Sequence, residues 1–317
     1  MASRTGRIAR RSLLGGAALL LASQAGRAPV CVAPADDPLR QEVTRFLTAL
    51  GRDGTSPFRL RPVLASLQRG LPPALLAEAQ AAADASCVSP DDCLAYNTVE
   101  ALPVSGELLS LYLPRGVAFL MRRQARQGAL LGAAFLKASE PWRWEVAQGW
   151  AGLHCGNALG VYVGVNNGLA LLSLPAPAGQ WLGPGVPAGL AGRLLLEQAS
   201  SMEIAQALLE SLQPCRACRC MLYDTVEGTG QLYSTSASWQ GEALKEPVNV
   251  LATPGEDASA NVKRLSAALQ ANLGWLSADK AIGLLERALP GATCLALDLE
   301  ERLCLISAGA AVSASRY

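Results

Sequence analysis

Thiols are the groups in this chain best equipped for chemistry, and imidazole is almost missing. Nine cysteines accompany a single histidine, His154, in 317 residues. Cys215, Cys218 and Cys220 form a C-x-x-C-x-C cluster. Three thiolates can hold a metal or a redox centre, but no second Cys/His cluster completes a site. A local disulfide among Cys215, Cys218 and Cys220, or plain core packing, is therefore expected, with no metal and no cofactor. Cys155 directly follows His154. An imidazolium near a thiol lowers its pKa and makes it a nucleophile, yet adjacent strand residues point to opposite faces. Cys93 is the other candidate nucleophile, with packing as its competing role. Because nine is odd, at least one cysteine stays outside any set of internal disulfides.

Bulk properties narrow the partners. Half the residues are apolar, 17% are charged and the net charge is +1, which gives no basis for nucleic acid or an anionic membrane surface. No apolar run after the N-terminal segment reaches the ~20 residues that span a bilayer. That segment is distinctive. Arg4, Arg7, Arg10 and Arg11 sit in an acid-free stretch, Leu13–Ala22 is weakly apolar, and Ser23 and Ala25 supply small residues at a cleavage site. Arg10-Arg11 before Ser12-Leu13-Leu14, with Gly15 and Gly16 diluting the apolar run, looks like a twin-arginine signal. Residues 1–25 are thus expected to be a signal peptide and 26–317 one domain, exported to the periplasm or beyond; an organelle transit peptide is the alternative. Val30 is too large to precede a lipidated Cys31.

The elements that must position these groups follow from spacing. Asp37-Pro38 should start a helix whose Leu39, Val43, Phe46, Leu47 and Leu50 share a face, ending at Gly51. Residues 52–61 read as a loop. Helices are expected at Pro73–Ala85 and from Pro90 to Thr98. Glu107–Leu113, Val117–Met121, Ala129–Phe135, Trp142–Val146, Leu159–Val165 and Leu169–Leu174 read as strands. A basic, Gln-rich turn ending at Gly128 joins the second and third of these. Asn166-Asn167-Gly168 is a hairpin signal, because Asn and Gly tolerate positive φ. Helices follow at Ala188–Ala199 and after a Ser200/Glu203 capping box. Strands return at Cys218–Tyr223, Leu232–Thr235 and Val248–Leu251. Helices at Ser259–Leu273 and Ala278–Leu289 precede a last hairpin, Thr293–Leu297 with Arg302–Ser307. Paired helices between antiparallel hairpins do not make a parallel sheet. They fit an α+β fold: a four-layer αββα sandwich of two antiparallel sheets flanked by helices.

Several segments resemble, in order, the N-terminal-nucleophile (Ntn) hydrolases of the acyl-CoA:6-aminopenicillanate acyltransferase type, peptidase family C45, with bile-salt hydrolases and acid ceramidase as wider relatives. Gly164–Leu169 resembles the family's "GMNxxGLAV", Val88–Asn97 its "SYEDLLLLN" helix, Leu194–Leu212 its "LLLExAxTxxEAxxLL" pair, Met221–Asp224 its "LLAD" strand and Thr293–Ser307 its closing hairpin. The resemblance covers about residues 70 to 310 and implies the same αββα fold.

The family's catalytic pieces are absent. In such enzymes a "GCTSF" strand supplies a Cys whose thiol attacks and whose α-amine, freed by self-cleavage, is the base; a "GRNxD" segment positions it. Here Gly116 stands at the Cys position, and Ala133 and Leu136 stand at the Arg and Asp positions. No Cys, Ser or Thr lies between Ser110 and Ser139. Glycine offers nothing for covalent catalysis. The resemblance places Asn166 at an oxyanion-hole Asn and Asn249 at the Asn of an "NHF" segment; a turn residue and a loop residue are the plainer readings. The expectation is a catalytically degenerate member, binding a small acylated or peptide-like ligand or serving structurally. The alternative is an active hydrolase or acyltransferase on linear amide bonds with Cys93 or Cys155 as relocated nucleophile.

Overall fold

A computed structural model describes residues 36–317 apart from 56, 123–127, 137–140, 177–178, 236–237, 254–259, 274 and 309–310. The expected signal segment, Cys31 and most of the Gln-rich turn lie outside the described residues.

Helices come first. In α1 (Pro38–Arg52) the Asp37 side chain accepts the Arg40 N–H at 2.8 Å, and Leu39, Val43, Phe46 and Leu50 are buried. Next is α2 (Pro57–Gly70), which occupies half of the expected loop and carries Pro62 inside it. An internal proline costs a helix about 3 kcal/mol; the buried stripe Leu60, Leu64, Leu67 offsets it. Then come α3 (Pro73–Ser86), α4 (Pro90–Asn97), a 3₁₀ turn at Val99–Ala101 and α5 (Gly106–Tyr112). The last overturns an expected strand. Ser105 caps it, accepting the Leu108 N–H at 3.1 Å, and Leu108, Leu109 and Tyr112 turn inward together.

The strands are β1 (Gly116–Arg122), β2 (Ala129–Phe135), β3 (Trp142–Ala147), β4 (Trp150–Cys155), β5 (Val163–Asn166), β6 (Leu169–Pro175), β7 (Cys218–Asp224), β8 (Gly230–Thr235), β9 (Trp239–Ala243), β10 (Val248–Ala252), β11 (Thr293–Asp298), β12 (Leu303–Ala308) and β13 (Ala311–Arg316). Between β6 and β7 lie α6 (Ala188–Gln198) and α7 (Met202–Ser211); between β10 and β11 lie α8 (Ala260–Ala271) and α9 (Ala278–Ala288). The described strands form two antiparallel sheets, ordered β10-β1-β2-β11-β12-β13 and β3-β4-β5-β6-β7-β8-β9. Strands β4, β9 and β13 were not anticipated. The strand expected at Leu159–Val165 shortens to Val163–Asn166.

Alternation builds the layers. Ala118, Leu120, Leu131, Ala133, Phe135 and Leu295 of the first sheet meet Leu153, Val163, Ala170, Leu172 and Met221 of the second in one dry core. The opposite faces carry Val117, Phe119 and Ala134 against α8 and α9, and Leu169, Leu171 and Leu222 against α6 and α7. This is the expected four-layer αββα sandwich. Helices α1–α5 form a further cluster that reaches α6 through Leu190 and Leu194.

The β5–β6 hairpin forms as expected but for a different reason. None of Asn166, Asn167 and Gly168 has positive φ. Gly168 is needed because a Cβ there would overlap the Ser200 carbonyl oxygen. Helix α7 is capped by Ser201, accepting from Ile204 N–H at 3.4 Å, rather than by Ser200.

Candidate functional site

Gly116 opens β1 on the face that looks into the inter-sheet core, in phase with Ala118 and Leu120. Thr253 holds both of its backbone groups. Its hydroxyl accepts the Gly116 N–H at 2.9 Å and donates to the Gly116 carbonyl at 3.3 Å, and its own N–H donates to that carbonyl at 2.9 Å. A Cβ on Gly116 would overlap the Ala134 carbonyl oxygen. Phe135, paired with Gly116 across the sheet, stacks on Trp142 at 4.6 Å, and Trp142 meets Tyr162 edge-on at 6.3 Å. Ala133 is fully buried among apolar side chains. Leu136 is held by its N–H to the Arg115 carbonyl at 2.8 Å.

Asn166 lies elsewhere. Along β4, Cys155 pairs with Trp142 at one end and Trp150 pairs with Asn166 at the other, a separation of about 16 Å at strand rise. Asn166 is therefore not beside Gly116. Its side chain donates to the Leu196 and Ala199 carbonyls at 2.9 and 2.7 Å and accepts from Gly168 and Leu169 N–H at 2.8 and 2.7 Å. Those bonds use both donors and both lone pairs of an Asn amide. They stitch the hairpin to the carbonyls left open at the C-terminus of α6. Asn249 lies on edge strand β10 opposite Leu120 and donates to the Glu246 carbonyl at 2.8 Å.

The described thiols are buried: Cys215, Cys218 and Cys220 form no disulfide, which leaves the core-packing branch of the expectation, and neither do Cys93, Cys155, Cys294 and Cys304, while Cys87 is disulfide-bonded. Cys220 packs on the helix-facing side of its sheet, and Cys218, two residues before it on β7, is in phase with it. Burial pushes the Cys93 thiol up to about 11 and the Cys215, Cys218 and Cys220 thiols upward too. His154 does not serve Cys155. On β4 its ring lies 5.9 Å from that of Trp150, on the helix side, while Cys155 lines a cavity on the other. His154 Nδ1 donates to the Ala158 carbonyl at 3.1 Å, and Nε2 sits 3.6 Å from a Glu145 carboxylate oxygen without hydrogen bonding it. Burial lowers the imidazole pKa, against the pull of Glu145.

That cavity holds the residue that sequence reasoning missed. It has about 20 Å³ of room and is bounded by Tyr96, Tyr112, Cys155, Tyr162 and Glu100, among others. Glu100 sits on the 3₁₀ turn and is 2% exposed. Its Oε2 accepts the Ala188 N–H at 2.8 Å, at the N-terminus of α6, where a carboxylate is favoured. Its Oε1 is buried with no hydrogen-bond partner among the described residues. The neighbouring Arg216 directs its guanidinium to three carbonyls, Glu100 at 3.2 Å, Gly179 at 2.7 Å and Leu102 at 3.3 Å. It pins the turn rather than the carboxyl. Burial pushes the Glu100 carboxyl up to about 7, moderated by the Ala188 N–H and the charge of Arg216. The groups around Glu100 arrive from 88 and 116 residues away, so no local motif marks it. Among the described residues no cluster of three or more His, Cys, Asp or Glu could hold a metal ion, and no helix is long and apolar enough to cross a membrane.

No family model matches the chain, and no curated protein matches it. Among solved structures it is similar to the N-acylethanolamine-hydrolyzing acid amidase ortholog of Caenorhabditis elegans, with 9% identity over 58% of this chain and 92% of that one, at a TM-score of 0.47.

Proposed function

We propose that this chain is a catalytically silent protein of the Ntn-hydrolase type, related to the C45 acyltransferases, with a binding or structural role. One observation carries the reading: a Cβ at Gly116 would overlap the Ala134 carbonyl oxygen. The Ntn mechanism needs a side-chain nucleophile and a freed amine on the same residue, and any side chain at residue 116 would need β2 to shift. The aromatic stack of Phe135 on Trp142 beside it further supports loss of the original cleft. Export follows the N-terminal arginine pattern, and the disulfide at Cys87 fits an oxidising compartment. Any ligand would be a small acylated or peptide-like molecule. Intact mass of the mature protein under denaturing, reducing conditions tests the reading together with turnover of simple N-acyl amides. The expected result is one species beginning near Gly26 and no turnover. Two fragments with a break before residue 116, or hydrolysis abolished by changing one residue, would overturn it.

A second reading is an amide hydrolase with Cys155 as relocated nucleophile. It is favoured by one observation: Cys155 lines the same cavity as Glu100, a carboxyl titrating at about 7 and so suited to take a thiol proton. Amide hydrolysis that survives in Cys155→Ala rules it out. Cys93, with its thiol at about 11, is protonated and inert.

A further inference from the structure

Helices α8 and α9 carry a groove on their solvent side, apart from Gly116 and from the cavity at Glu100. We infer that it binds an anionic amphiphile, a short hydrocarbon body with a phosphate-type head, between the guanidinium groups of Arg264 and Arg287. Helix geometry builds the groove. Arg264, Leu265 and Ala268 come from one side of α8, and Leu284, Arg287 and Ala288 from one side of α9. Residues at these spacings are neighbours on a helix surface. The two helices pack against each other and leave about 390 Å³ of room between these residues. That falls within the ~300–1,000 Å³ of small-molecule sites. The floor is apolar: Leu265 and Ala288 are buried, and Leu284 is partly buried against the same core.

Charge selects the occupant. Among the described residues, the charged side chains bordering the groove are Arg264 and Arg287 alone, and neither makes a hydrogen bond or ion pair. The acid next in sequence, Glu286, is engaged elsewhere: its carboxylate accepts the Ser307 hydroxyl of β12 at 2.5 Å. Arg287 folds back along α9. Its Nη1 lies 3.6 Å from the place a Cβ on Gly283 would take, one turn earlier, the direction in which helix side chains lean. Glycine is a poor helix former, and Gly283 has no positive φ to require it; its missing side chain keeps the helix surface low beneath the guanidinium. Two cations on one groove repel each other, and an anion between them turns that repulsion into attraction. One guanidinium fork is enough for a carboxylate. A phosphate monoester carries three terminal oxygens and a charge of about −1.5 to −2 at pH 7, which suits two forks. The apolar floor favours a hydrocarbon body beside that head.

The experiment is calorimetric titration of the mature protein with hexyl phosphate, kept below micelle-forming concentrations. Hexanoate, hexylammonium and inorganic phosphate at equal ionic strength are the comparisons. Hexyl phosphate should bind once per chain with a Kd of about 0.1–1 mM. Hexanoate should bind about tenfold more weakly, and hexylammonium and inorganic phosphate not measurably. Arg264→Gln and Arg287→Gln should each weaken hexyl phosphate about tenfold, and the double variant should not bind it. Both side chains are exposed, so each variant should keep the parent Tm within about 2 °C. No heat with hexyl phosphate, binding of hexylammonium at equal affinity, or binding that survives in the double variant would each overturn the site. Hexanoate binding as tightly as hexyl phosphate would overturn the head group, and inorganic phosphate doing so would overturn the hydrocarbon body. A merely solvated pair of arginines gives the first of these outcomes.

Discussion

Replacing Glu100 by glutamine removes one proton-binding group while keeping the oxygen that accepts the Ala188 N–H at 2.8 Å. Burial holds the carboxyl at about 7 in the folded protein, against an ordinary value of 4.5. The folded state therefore binds this proton more tightly than the unfolded chain. Its stabilising contribution is complete below the ordinary value and is lost as pH rises through about 7. At 1.36 kcal/mol per tenfold difference in proton affinity, the loss is about 3 kcal/mol. Glu100→Gln should match the unmodified protein near pH 4.5. It should be more stable by about 3 kcal/mol, or about 5 °C in Tm, near pH 8. Urea unfolding of both proteins across this range measures the difference directly, and contributions of other groups cancel in it. Parallel curves, or a variant less stable than the parent at alkaline pH, would refute the placement of Glu100 in a low-dielectric cavity without a compensating cation.

Other perturbations have equally definite outcomes. His154 is held neutral by burial, so its contribution is present above about 6.5 and lost as pH falls through its lowered folded value; His154→Gln should flatten that acid-side loss in the same urea series. Gly116→Ala should destabilise by about 2–4 kcal/mol, because β2 must move to admit the methyl group, and Gly116→Cys should neither self-cleave by mass spectrometry nor gain amidase activity. Asn166→Ala removes four hydrogen bonds to main-chain groups and should cost about 2–4 kcal/mol in denaturant titration. Asn166→Asp, which keeps the acceptor but sets a carboxylate oxygen against the Leu196 and Ala199 carbonyls, should cost at least as much. The buried thiols of Cys93, Cys155, Cys215, Cys218, Cys220, Cys294 and Cys304 should resist iodoacetamide in the native protein and react together on unfolding, as followed by mass.

Architecture was legible in the sequence wherever burial on one face imposed a period. The β1–β2 pair, the β5–β6 hairpin and α9 with its Ser277 cap are of this kind, since the alternation or the stripe is local. Errors arose where two periods overlapped. Glu107, Leu109, Leu111 and Leu113 alternate like a strand, but Leu108, Leu109 and Tyr112 also lie on one helical face, and Ser105 as a cap decided between them. Pro62 disguised α2, because an internal proline argues against the helix that packing nevertheless enforces. Strands β9 and β13 have mostly exposed side chains and so show no apolar signature. At the site, the glycine at 116 was visible as a letter, whereas the lack of room for any side chain there depends on Ala134, a contact across the sheet. Glu100 was invisible for the same reason in stronger form. One acidic residue between Val99 and Ala101 looks like any surface turn until α6 and Arg216 close over it.

The contact between Gly116 and the Ala134 carbonyl also limits which single substitutions the head of β1 can accept. A cysteine at residue 116 would need β2 to shift, because β2 occupies the volume of its Cβ. Moving β2 first would disturb Phe135 and its stack with Trp142. Truncating either ring leaves a void costing about 3–5 kcal/mol, a large part of the ~5–15 kcal/mol that holds a typical domain together. The geometry of one strand pair thus acts as a lock: a side chain at the head of β1 requires several substitutions at once, while change elsewhere on the scaffold remains open.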